Sequence, residues 1–155
     1  MAGLRAKQKA DRTRRILEAA TTLFRGEGYD NARIEDIAEM AEVSVGTLYN
    51  YYQNKGDILV ATVAMEVTEV LEGGARIVAN PPLNVAEALR MLIDQYYDHS
   101  LVYLSKEMWR TAMAISIQQP ETPLSRRYTE LDGQLSAQVV QLVETLKARG
   151  VVHAG

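Results

Sequence analysis

The side chains with the clearest chemical use lie between Ser44 and Lys55. Ser44 carries the hydroxyl of a helix N-cap, so a short helix is predicted to begin after it and to present Val45, Gly46 and Thr47 at its N-terminus. Thr47 combines a hydroxyl with a methyl group, and such groups contact base edges and phosphates. The segment therefore has the chemistry of a helix end that contacts nucleic acid.

Lys55 follows Asn54, a second residue of N-cap type. The positive charge of a lysine and the free N–H groups of a helix start would meet at one point, which suits a phosphate. The alternative is an ordinary surface lysine.

The elements around these residues are predicted to be helices. Apolar residues recur at helical spacing before Gly28. They predict a first helix over about 11–25 that ends near Gly28. Ile34, Ile37, Ala38 and Ala41 predict a short second helix, and Glu42-Val43-Ser44 a tight turn. Leu48 and Tyr52 are predicted to be core. This is a helix-turn-helix, whose second helix enters the major groove in DNA-binding proteins.

The motif residues resemble the DNA-binding domain of the TetR family of transcriptional repressors over about residues 10–60. The matching residues are Gly28-Tyr29-Asp30, Ile37-Ala38, Val43-Ser44, Gly46-Thr47-Leu48-Tyr49, Asn54-Lys55 and Leu59. The resemblance implies DNA contacts from Thr47 and Tyr49 and supports one from Lys55. The full set of predicted DNA contacts is Arg33, Ser44, Val45, Gly46, Thr47, Tyr49, Asn50 and Lys55. Tyr49 has the alternative of a half-buried packing role, and none of Val45, Gly46 and Thr47 discloses a base preference.

One departure from the family lies at Ala32, where a serine or threonine commonly caps the first motif helix. We expect Asn31 to cap it instead and Arg33 to replace a neutral phosphate contact with a charged one. Six basic residues and one acidic residue lie in positions 1–15 of a chain whose net charge is −3. This basic arm is predicted either to follow the DNA backbone or to be a solvated, disordered terminus.

The composition excludes several kinds of site. There is no cysteine, and the two histidines are His99 and His153. No catalytic triad, paired-carboxylate motif, phosphate loop or metal-ligand spacing is recognised, so we expect no enzyme, no cofactor and no metal. An enzyme that uses His99 with Asp94 or Glu107 is the weakest alternative. No apolar run is long enough for a membrane span, so a cytoplasmic protein, at the nucleoid when bound to DNA, is expected.

The remainder of the chain is also predicted to be helical. A fourth helix should open at Asn54 and approach its end at Gly73-Gly74, Asn84 should cap a fifth, and two further helices should precede Gly150. The sequence thus predicts an all-α protein of two domains. Residues 1–57 form a basic arm and a three-helix, helix-turn-helix DNA-binding domain, and residues 58–155 form a helical effector-binding and dimerisation domain.

The resemblance implies that the second domain encloses a small-molecule pocket. Candidate ligand residues are Met91, Tyr96, Tyr103, Trp109, Met113 and Tyr128, for which plain core packing is the alternative. Family members usually continue into two more helices that pair across a dimer, and the sequence stops before them. We therefore expect either a shortened protein or a homodimer built from other helices, such as the sixth and seventh.

The predicted function is a repressor that binds a pseudo-palindromic operator as a homodimer and is released by a small apolar or amphipathic effector. The alternative is a helical protein-interaction module in which the helix-turn-helix serves only as packing.

Overall fold

The computed structural model describes residues 2–152, so His153 lies outside the described residues. Within that range the chain is all-α, as predicted. Its seven helices are α1 (Ala2–Glu27), α2 (Ile34–Met40), α3 (Val45–Tyr51), α4 (Lys55–Ala79), α5 (Val85–Tyr103), α6 (Lys106–Gln118) and α7 (Pro123–Ala148). None of the helices in the described part is long and apolar enough to cross a membrane.

Polar side chains begin most of the helices. The predicted caps are confirmed: Ser44 accepts from the Thr47 N–H, Asn54 from the Asp57 N–H and Asn84 from the Glu87 N–H, at 3.0, 2.8 and 3.0 Å. Ser105 and Thr122 cap α6 and α7 in the same way. Each cap satisfies a backbone donor that the helix leaves free.

Two predictions about helix starts are wrong. The first helix begins at Ala2 rather than near residue 11, because the arm is rich in alanine, lysine, arginine and glutamine, all good helix formers. Asn31 does not cap α2, since its Nδ2 donates to the Glu27 carbonyl at the end of α1. Gly73 and Gly74 lie near the end of α4, as predicted, and the helix continues past them to Ala79.

The glycine pair in α4 allows other side chains to approach the helix backbone. A Cβ at Gly74 would collide with the amide of Gln138 on α7, and one at Gly73 with the amide of Gln95 on α5. Gln138 is buried and joins three helices: its Nε2 donates to the Leu71 carbonyl at 2.9 Å, and its Oε1 accepts from the Tyr96 hydroxyl at 2.7 Å.

Helix α4 is the centre of the molecule, in contact with α1, α5, α6 and α7. The main apolar core extends from Ile16 and Leu48 in the first three helices, along α4, to Met108 and Leu131 in α6 and α7. A smaller cluster joins α5 to α7. The division at residue 57 stays a prediction, and the apolar core is continuous across it.

Candidate DNA-binding surface and effector groove

The turn between α2 and α3 is held by backbone hydrogen bonds. The Glu42 N–H donates to the Glu39 carbonyl and the Val43 N–H to the Ala38 carbonyl, at 3.1 and 3.0 Å. Glu42 has a φ of 57°, in the left-handed region that most side chains avoid. This residue turns the chain sharply enough to set α3 across α2.

Helix α3 has one buried and one exposed side. Leu48 is fully buried and Tyr52, just after the helix, is 7% exposed, so both belong to the core as predicted. Burial raises the pKa of Tyr52 to about 12. Of the candidate DNA contacts, Val45 and Tyr49 are 36% and 50% exposed, and Gly46 and Asn50 are also exposed.

Thr47 differs from its neighbours because its side chain is half-buried and bound. The Ser44 hydroxyl donates to the Thr47 Oγ1 at 2.8 Å and accepts from the Thr47 N–H. The two side chains therefore fix each other at the N-terminus of α3, and the Thr47 hydroxyl keeps its own proton for a further acceptor.

Lys55 makes a different contact from the predicted one. Its Nζ donates to the carbonyls of Tyr29, Asp30 and Ala32, at 2.7, 3.2 and 3.2 Å, and lies 4.6 Å from the centre of the Tyr29 ring. These three bonds use all three protons of the ammonium. The phosphate contact stays a prediction, but in this geometry Lys55 binds the α1–α2 loop to the start of α4.

Arg33 lies beside the start of α2 and is well exposed. Its Nε is 3.7 Å from a Glu35 carboxylate oxygen, and the side chain is 68% exposed. Such a surface ion pair is weak, so the guanidinium remains accessible to a stronger anion such as a phosphate.

Arg15 joins α1 to the end of α2, a contact that the sequence did not predict. Its Nη1 donates to the Ala41 carbonyl, which ends α2, at 3.2 Å, and it lies near the carboxylates of Asp11 and Glu42. The partner carbonyl is 26 residues away, so no local pattern signals the contact.

An open groove of about 620 Å³ lies between α5 and α6. Tyr96 and Trp109, two of the candidate ligand residues, line it together with Tyr97 and Leu101, and Lys106 and Arg110 add two cations. The groove thus combines an apolar wall with positive charge, which suits an amphipathic anion.

The other four candidate ligand residues lie outside this groove, and ligand contacts from the six residues stay a prediction. Met113 and Tyr128 line a smaller cavity of about 240 Å³ between α6 and α7. Tyr103 borders a third cavity beside α1 and α4. Met91 is 43% exposed on α5 and lines none of these three cavities. Helical spacing identified apolar faces but not the helices that they would meet.

The fold and α3 define a helix-turn-helix domain followed by a helical bundle, and sequence comparison agrees. Residues 16–62 match the model of bacterial regulatory proteins of the tetR family. The transcriptional repressor KstR of Rhodococcus jostii is 33% identical over 93 residues, 59% of this chain and 42% of the relative. The fatty acid metabolism regulator of Bacillus subtilis is 27% identical over 105 residues, 64% of this chain and 54% of the relative.

Solved structures share the fold. A TetR-family transcriptional regulator from Mesorhizobium loti superposes with a TM-score of 0.71 at 24% identity, covering 94% of this chain and 73% of the other. Thermus thermophilus FadR in complex with lauroyl-CoA gives a TM-score of 0.60 at 24% identity, covering 92% and 71%.

Over residues 16–62 the chain is thus similar to bacterial regulatory proteins of the tetR family. It spans about half the length of the two sequence relatives.

Proposed function

We propose that this chain is a DNA-binding transcriptional regulator, most simply a repressor that binds a pseudo-palindromic operator as a homodimer. The observation that carries the proposal is the Ser44-capped start of α3, which leaves Val45, Gly46, Tyr49 and Asn50 accessible on one side while Leu48 anchors the other. A capped helix end with small and hydroxyl-bearing side chains fits the major groove. Binding to DNA would place the protein in the cytoplasm, at the nucleoid.

Within this proposal the candidate contacts have different roles. Tyr49 and Asn50 reach bases or phosphates from the exposed side of α3, and Ser44 orients Thr47. Arg33 supplies a phosphate contact from the start of α2. Lys55 acts mainly by fixing the loop before α2, and a phosphate contact from its ammonium would compete with the three carbonyls that it binds.

The test is binding of the chain to a duplex from its own upstream region, followed by fluorescence anisotropy at two salt concentrations. We expect tighter binding than to a scrambled duplex and an affinity that falls steeply with salt. Arg33→Ala should lower the slope of log K against log salt by about 0.9, the value for one lost phosphate contact. Arg90→Ala, an exposed arginine on α5, is the matched control and should leave the slope unchanged.

Equal affinity for the two duplexes would overturn the proposal. If replacement of both Thr47 and Tyr49 by alanine left the biological activity of the chain unchanged, the helix-turn-helix would serve only as packing, as in a protein-interaction module.

We propose further that an amphipathic anion in the α5–α6 groove releases the DNA. The supporting observation is that Lys106 and Arg110 lie beside the apolar wall formed by Tyr96 and Trp109. Thermus thermophilus FadR, which shares the fold, is known in complex with lauroyl-CoA, a ligand with a long apolar chain and an anionic head. A ligand shifts the equilibrium between the DNA-bound and the DNA-free protein only if its affinity for the two differs. The anion must therefore bind the DNA-free protein more tightly.

Lauroyl-CoA is the probe for this step. We expect it to dissociate the protein–DNA complex, and Arg110→Gln to raise the required concentration about tenfold, since one charge-assisted hydrogen bond is lost. Arg90→Gln is the control. If lauroyl-CoA bound equally to the two variants, the groove would not be its site, and the DNA-binding proposal would be unaffected.

A further inference from the structure

Glu66 is a carboxylate in the interior of α4 with its exposed fraction at 4%. Its neighbours on the helix include the buried apolar residues Val63, Val67 and Val70. A buried carboxylate costs free energy unless a cation or hydrogen-bond donor compensates it. A carboxylate at this position therefore needs a cation or a hydrogen-bond donor beside it.

His99 on α5 is the side chain that contacts the Glu66 carboxylate. Its Nδ1 lies 2.5 Å from the Glu66 Oε1, and the imidazole is 28% exposed. Burial raises the pKa of Glu66, whereas the hydrogen bond with His99 lowers it. The pair places an imidazole nitrogen and a carboxylate oxygen at the junction of α4 and α5.

Glu69 brings a second carboxylate to the same place. It lies three residues after Glu66 and thus on the same face of α4. One ligand atom from each of Glu66, Glu69 and His99 lies within 4.8 Å of the other two. Two carboxylates this close repel each other unless a cation lies between them.

Space for a bound ion and its water ligands lies next to the two carboxylates. A cavity of about 370 Å³ is lined by Glu66 and Glu69 and closed on the far side by Glu18, Thr21 and Thr22 of α1. Arg14, the cation that also borders it, is bound to Glu18 at 2.9 Å. The cavity is polar on one side, so water can complete a coordination shell there.

We propose that Glu66, Glu69 and His99 bind a divalent transition-metal ion, with zinc as the best fit. One imidazole and two carboxylates match the nitrogen and oxygen ligands of zinc sites that leave a position for water. An imidazole ligand favours zinc, iron, nickel or copper over magnesium and calcium. The ion would join the middle of α4 to the C-terminal half of α5.

The test uses the full chain freed of metal and titrated with Zn²⁺ by calorimetry and with Co²⁺ by visible absorption. We expect one ion per chain and a Co²⁺ d–d spectrum that Zn²⁺ abolishes. Glu69 is exposed, so Glu69→Gln should fold normally and bind Zn²⁺ at least about tenfold more weakly. Glu72→Gln, an exposed glutamate one turn away on α4, is the matched control.

Two results would overturn the proposal. One is equal Zn²⁺ affinity in Glu69→Gln and Glu72→Gln, which would indicate unspecific surface binding. The other is a Co²⁺ spectrum that persists in His99→Gln and disappears in His153→Gln, which would place the ion at the chain's other histidine.

Discussion

Replacement of Lys55 by methionine should destabilise the protein in the absence of DNA. If Lys55 served only to bind phosphate, the same replacement would leave the stability of the free protein unchanged. Methionine keeps the length and apolar character of the side chain but removes the ammonium. The Tyr29 and Ala32 carbonyls, both half-buried, then lose charge-assisted bonds of 2.7 and 3.2 Å. The Asp30 carbonyl is exposed, and water can replace the lysine there.

The magnitude follows from these contacts. Each half-buried carbonyl that loses its donor costs about 1 kcal/mol at a site that water partly reaches. Loss of the cation–π contact with Tyr29 adds roughly 0.5–1 kcal/mol. The free energy of unfolding should therefore fall by about 2.5–3 kcal/mol, which lowers Tm by about 5–12 °C in a domain of this size.

The assay is urea or thermal unfolding followed by circular dichroism, without DNA. Lys147→Met is the control, because Lys147 lies on the surface of α7 and its contact is an exposed ion pair with Glu144. Such a pair contributes less than about 0.5 kcal/mol. If Lys55→Met and Lys147→Met unfolded at the same midpoint as the wild type, the structural role assigned to Lys55 would be refuted.

Three further changes test the packing that positions the site. Gly74→Ala should lower the free energy of unfolding by about 1–3 kcal/mol, because its Cβ collides with the buried Gln138 amide; Gly133→Ala, where the added Cβ meets open space, should instead raise it by about 0.5–1 kcal/mol in the same thermal unfolding experiment. Ser44→Ala should cost about 1 kcal/mol and speed amide hydrogen exchange in α3, since the cap is lost, and unchanged exchange would contradict the assigned cap. Burial raises the pKa of Tyr96 to about 12 from 10.0, so the unfolded chain ionises first and stability should fall as the pH rises from about 10 to 12. Tyr96→Phe should show a smaller fall over that window in unfolding measured against pH, and an identical fall would be the contrary result.

Features that depend on neighbours in the sequence could be predicted. The caps at Ser44, Asn54 and Asn84 follow from a side chain that reaches an N–H three residues ahead, so a local pattern is sufficient. The burial of Leu48 and Tyr52 follows from helical spacing in the same way.

Features that depend on residues far apart in the sequence could not be predicted. Glycine weakens helices, so the sequence predicted that α4 would approach its end at Gly73-Gly74. The structure gives another reason for glycine at position 74, because the Gln138 side chain of α7 lies where a Cβ would be. The carbonyls that bind Lys55 are 23–26 residues away, and Glu66 and His99 are separated by 33 residues. Five of the six candidate ligand residues are divided among three cavities and Met91 lines none of them, because spacing along a helix does not identify the facing helix.

A hydroxyl-radical footprint of the chain on its own upstream DNA tests directly whether α3 reads the DNA. We expect the wild-type chain to protect two symmetric half-sites about one helical turn apart, on one face of the duplex. The double variant Thr47→Ala, Tyr49→Ala should lose this protection while it keeps the wild-type circular dichroism spectrum. Protection by the double variant equal to that of the wild type would contradict the assignment of α3 as the DNA-reading helix.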